Sequence, residues 1–153
     1  MKSCLLWLLA FGFLFFVSVP TQGQNTTARE KTAEIDDFCR QLNGKKARPP
    51  KIRGLYFGRA LFGPSDIASA DVGVDSYTDE PVIMITFSKQ ATKRFANLTA
   101  MNLGKSMPIF LNGTLLSCPI VNEPILGGEV QISGGFSAAE AAQLVAKMKS
   151  YAQ

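Results

Sequence analysis

Histidine is absent from all 153 residues. A Ser-His-Asp or Cys-His nucleophile, an imidazole acid or base and a His-containing zinc site are therefore excluded. Cysteine is scarce, at three residues with no C-x-x-C pair, so a thioredoxin-like redox motif has no place here. Charged residues make up only 18% of the chain against 46% hydrophobic, which rules out a disordered polyampholyte. Beyond residue 19 no apolar run approaches the roughly 20 residues of a membrane span. Lys, carboxylate or thiol chemistry stays formally open. No motif sets a nucleophile beside a base, and we expect no enzyme, no cofactor and no metal.

What is present begins with Met1-Lys2-Ser3 and the apolar run Cys4 to Val19, closed by Pro20 and the small residues of Thr21-Gln22-Gly23. This is the pattern of a secretory signal cleaved after Gly23. Its sixteen residues fall short of a bilayer span, which argues against the alternative of an uncleaved anchor. Residues 1–23 are thus expected to be removed, leaving a periplasmic or secreted protein of a bacterial envelope. Loss of Lys2 leaves fifteen basic residues against twelve acidic ones, about +3. Cys39 and Cys118 remain. An even pair in an exported protein invites a disulfide; the alternative is a buried small hydrophobe and a thiol that never meet.

Thr27 to Leu42 suits a helix carrying Ala33, Ile35, Phe38 and Leu42. Asn43-Gly44 stops it, and residues 24–60 form a helix followed by a basic linker. No acid occurs between Asp37 and Asp66, while Arg40, Lys45, Lys46, Arg48, Lys51, Arg53 and Arg59 are all positive. Such a stretch suits anionic lipid or cell-wall polymer. Export removes nucleic acid from consideration, and the plainer reading is a solvated flank.

A strand is expected around Ile52 to Phe57, then a loop through Gly63-Pro64. Val72 and Val74 alternate with Asp71, Gly73 and Asp75, as in a two-faced strand. Val82 to Phe87 reads as a central strand, paired with the preceding one as a hairpin. Ser88 caps a helix with Ala91, Phe95, Leu98 and Met101 on one stripe, and Gly104 supplies a left-handed stop. Asn112-Gly113 lies between Met107–Leu111 and Thr114–Cys118, a strong hairpin signal. Cys118 is expected on a central strand. A strand near Val130 to Ser133 precedes Ser137-Ala138-Ala139-Glu140, a capping box. The helix it opens carries Ala141, Leu144, Val145 and Met148. The class is α+β: an antiparallel sheet built from hairpins, with helices packed on one face.

Three segments carry a resemblance: Thr86 to Thr99 (TFSKQATKRFANLT), Asn102 to Gly128 (NLGKSMPIFLNGTLLSCPIVNEPILGG) and Gln131 to Ala141 (QISGGFSAAEA). In order and spacing, residues 61–153 resemble the head subdomain of the first periplasmic domain of SecD, the accessory subunit of the bacterial Sec translocase. The departures are an unmatched segment before Leu61, no counterpart of the SecD base or its six spans, and Cys118 where the family has a small alanine-like residue. The resemblance implies a non-enzymatic module that contacts unfolded polypeptide or an envelope protein, with peripheral membrane contact as a further option. It does not imply proton coupling. The candidate partner loop is Glu123, Pro124, Ile125, Gly127 and Gly128. Glu123 there is free to meet a ligand or, more plainly, to staple the loop. An exposed sheet edge is the other place for an extended segment.

Overall fold

The computed structural model describes residues 28–43, 50–51 and 53–151. The signal-like segment and three members of the basic stretch, Lys45, Lys46 and Arg48, lie outside the described residues. Helix α1 spans Ala28–Asn43, followed by β1 (Leu55–Phe57), β2 (Ala60–Phe62) and a 3-10 turn at Pro64–Asp66. Then come β3 (Ile67–Val74), β4 (Pro81–Phe87) and α2 (Lys89–Ala100). The chain continues as β5 (Ile109–Leu111), β6 (Thr114–Ser117), β7 (Glu129–Ile132) and α3 (Ala138–Tyr151).

The α+β class and the antiparallel hairpins hold, but the strands divide between two sheets. One has the order β2-β1-β5-β6 and the other β3-β4-β7. The division falls at the 3-10 turn, where Gly63 and Pro64 end β2 and the chain enters a new sheet through the irregular register at Ile67 to Ser69. Asp66 holds that corner. Its carboxylate accepts from Gly63 N–H at 2.6 Å and from Arg94 of α2 at 2.9 Å, while Arg94 also donates to Leu61 C=O and lies over the Phe62 ring. Strand β1 pairs with both β2 and β5, so the first sheet starts ahead of residue 61.

The core fills the space between the sheets. Leu55, Phe57, Ile109 and Leu111 of the first sheet meet Ile83, Ile85, Phe87 and Ile132 of the second, with Phe95 from α2 and Met148 from α3. Phe57, Phe62, Phe87 and Phe95 form a ring cluster with centroids 4.8 to 5.8 Å apart. Each contact adds roughly 0.5–1.5 kcal/mol beyond the area it buries. The other face of the first sheet is also apolar: Tyr56, Phe110 and Leu115 are covered by Ile35 of α1. Two buried faces explain why β1 and β5 are buried at every position.

Local signals behave as their chemistry dictates. Asn112 and Gly113 both take positive φ, +50° and +86°. Ser88 Oγ accepts from Ala91 N–H. Ser137 and Glu140 cap each other reciprocally. Ala141, Val145 and Met148 are buried on the inner face of α3. Four expectations are corrected. Met101 is 76% exposed, because α2 ends at Ala100 and the buried stripe is completed by Thr99 instead. Phe38 is 53% exposed; α1 turns Cys39 inward, not the phenylalanine. Val72 and Val74 stay exposed beyond the reach of the core, although they share a face with buried Ala70. Cys118 follows β6, an edge strand, not a central one.

Candidate functional site

Between β6 and β7 the chain runs as an open loop along the end of α2. The two segments are laced by backbone bonds: Met107 N–H to Pro119 C=O, Gly104 N–H to Val121 C=O, and Val121 N–H to Lys105 C=O, each at 2.8 to 3.0 Å. Ser106 and Ile120 form an isolated bridge within this lacing. Gly104 reaches its bond with φ +70°, a conformation that favours glycine.

Thr99 fixes the next turn of the loop. It is 1% exposed, and its hydroxyl donates to Phe95 C=O while accepting from Ile125 N–H at 3.0 Å. That acceptor satisfies the amide of a residue that lies outside every strand. At the far end, Gly128 C=O accepts from Phe87 N–H at 2.8 Å. Gly128 has φ +74° and sits so close to Thr92 that a side chain there would strike its Cβ and Cγ2 at 2.9 Å.

These anchors decide what the loop presents. Ile125 turns in against the core, while Glu123, Pro124, Gly127 and, at 72% exposure, Leu126 face outward. Behind the loop lies a cavity of about 260 Å³ walled by Phe95, Thr99, Met107, Val121 and Ile125, with Glu123 at its rim. Met101, Leu103 and Ile120, from the laced segments, add further exposed apolar surface. The whole is an apolar, backbone-defined surface with one carboxylate. Among the described residues no group of three or more Cys, Asp or Glu side chains is placed to hold a metal ion.

The remaining sequence candidates lie elsewhere. Cys39 and Cys118 are joined, with α-carbons 5.7 Å apart, so the bridge fastens α1 to the end of β6. Arg40 lies 3.9 Å from both Asp36 and Asp37 on its own helix, which balances its charge locally. Lys51, Arg53 and Arg59 are exposed on the approach to β1 and its turn. Arg59 lines a cavity with Asn102, Ser106 and Met107 beside the laced segments, while Arg40 sits apart on α1. Thr99 and Thr92 were not legible as loop anchors, since a threonine inside a helix gives no sequence signal for a partner 26 residues away.

A model of the SecDF P1 head subdomain matches residues 44–152. The chain belongs to the SecDF P1 head family. Curated relatives agree. It is 36% identical over 93 residues to the protein translocase subunit SecD of Acidaminococcus fermentans, covering 61% of this chain and 22% of that protein. It is 37% identical over 84 residues to SecD of Calditerrivibrio nitroreducens, covering 55% and 16%. To SecDF of Thermus thermophilus it is 28% identical over 121 residues, covering 77% and 16%. Two solved SecDF structures superpose with TM-scores of 0.53 at 30% identity over 57% of this chain. One is of SecDF as a membrane component that enhances protein export, of which 39% is covered; the other is the super-membrane-facing form, of which 12% is covered. The matched part of the chain thus spans a fifth or less of most of these translocase subunits and corresponds to their head. No described helix is long and apolar enough to cross a membrane.

Proposed function

We propose that this P1 head is an exported, non-enzymatic binding module of the protein-export apparatus, contacting unfolded polypeptide or an envelope protein through the Glu123 to Gly128 loop. The observation that carries the reading is the pairing of rigid anchors with an outward apolar tip. Thr99, Gly104 and Gly128 hold the backbone, Leu126 and Pro124 stand clear of it, and an apolar cavity lies behind. Such a surface suits apolar side chains of many sequences, because none of its contacts demands a particular polar partner. The membership in a family of translocase subunits supports an export context. Export of the chain itself, through cleavage after Gly23, belongs to the same reading, and a mature protein beginning at Gln24 by mass spectrometry is its direct check.

Binding is tested with a reduced, carboxymethylated model polypeptide carrying a fluorescent label. Saturable binding that Leu126→Asp weakens by roughly tenfold, about 1.4 kcal/mol, supports the loop. No preference for the unfolded chain over its native form, or binding untouched by Leu126→Asp, overturns it.

A further inference from the structure

The second sheet has an edge strand, β3, which is bulged between Ile67 and Ser69 but runs in regular register from Ser69 to Val74. Natural edges are blunted by lysine, proline or short length. Strand β3 runs eight residues, IASADVGV, without a lysine, arginine or proline. Its one acid, Asp71, is paired with Lys149 of α3 at 3.0 Å. Asp75, just beyond, is occupied by the Tyr77 and Thr78 amides and by Gln131.

The direction of the free backbone groups follows from one bond. Asp75 N–H donates to Glu80 C=O, so it points toward β4. Alternation along an antiparallel ladder then turns Gly73 and Asp71 toward β4 as well, and leaves the N–H and C=O of Ala70, Val72 and Val74 pointing out from the edge. Pro81 corroborates this phase. It lies opposite Val74, where no bond between β3 and β4 is required and its missing N–H costs nothing. The outward residues also carry exposed apolar side chains, with Val72 42% and Val74 65% exposed.

We propose that two copies of the chain associate by pairing β3 with β3, antiparallel, about a two-fold axis at Val72. The strand is self-complementary in that register. Val72 faces Val72, and Ala70 faces Val74, so every outward N–H meets an outward C=O. Asp71 faces Gly73 and Asp75 faces Ser69, so no carboxylate opposes another. Valine and alanine side chains of both copies line one face, and the two three-stranded sheets join into a single larger one. A second copy satisfies the symmetry that commonly governs such interfaces. Strand pairing alone buries less than the roughly 1,200 Å² of a standard interface, so association is expected to be weak and concentration-dependent.

Sedimentation of the purified, disulfide-intact protein over rising concentration should show the mass doubling. Amide exchange by NMR gives the decisive readout and needs no variant. Amides of Ala70, Val72 and Val74 should slow by roughly tenfold on dimer formation, while those of Asp71 and Gly73, already bonded to β4, should not change. Val72→Pro should fold and remain monomeric, because the fold itself does not use that N–H and proline is tolerated on an edge strand. A chain monomeric at every concentration overturns the proposal. So does a dimer whose three edge amides exchange as in the monomer, or a folded Val72→Pro that dimerises like the wild type. Protection of those amides only on adding an unfolded polypeptide assigns the edge to another occupant and equally overturns it.

Discussion

Gly128→Ala should be among the most damaging single-methyl changes in the protein, and its cost can be worked from two independent sources. The residue has φ +74°, where an L side chain costs about 1–2 kcal/mol. The new Cβ would also meet Thr92 Oγ1 within contact distance and the Thr92 Cβ and Cγ2 at 2.9 Å. Thr92 cannot turn away freely, because it is half-buried on α2 and its hydroxyl donates to Ser88 C=O at 3.0 Å. Overpacking of this kind costs about 1–3 kcal/mol, so the variant should lose about 2–5 kcal/mol in all. Thr92→Gly alone should cost about 1 kcal/mol through helix propensity and the lost Ser88 bond. The double variant keeps the backbone strain but removes the collision, and should recover about 1–3 kcal/mol of coupling energy. Urea unfolding followed by circular dichroism measures all four corners of the cycle. A loss below about 0.5 kcal/mol for Gly128→Ala, or strictly additive costs, would show that the loop relaxes without resistance and that its rigidity has been overstated.

Reducing the Cys39–Cys118 bridge, whose partners are 79 residues apart, releases a closed loop worth about 4.5 kcal/mol in the chain-entropy model. The melting midpoint should fall by about 15 °C, and α1 should become the first site of proteolysis; equal midpoints with and without reductant would contradict this. Thr99→Val keeps the shape but leaves Ile125 N–H without its acceptor, for a loss of about 1–3 kcal/mol by urea unfolding; an unchanged midpoint means the loop has another anchor. The backbone N–H groups of Tyr77 and then Thr78 hold the Asp75 carboxyl below its ordinary 3.8. A depressed carboxylate stabilises the fold above its unfolded value, and the contribution fades as pH falls through the folded one. An NMR titration of Asp75 with its midpoint at or above 3.8 would remove that tie from the β3–β4 turn.

Much of this head was readable from short stretches of chain because their chemistry is local. Asn112-Gly113 needs two positive-φ residues, and only its own backbone decides the turn. Ser88 and the Ser137/Glu140 pair cap helices within three residues of themselves. The motifs of residues 86–141 likewise marked the SecD resemblance, and the loop proposed to meet a partner lay within them. Other features depended on which surfaces met. Alternation alone placed Val72 and Val74 on the apolar face of their strand, yet that face runs past the core at one end, so both remain exposed. A helical stripe pointed to Met101, but the close of α2 at Ala100 put Thr99 inside to receive a distant amide. Strand β2 is three residues long and reads as loop; only its pairing with β1 makes it a strand. The separation into two sheets has the same origin. Hydrogen-bond capacity along each strand is the same at every residue but Pro81, so sequence specifies which segments extend, while the choice of neighbour is made by the apolar faces that packing brings together.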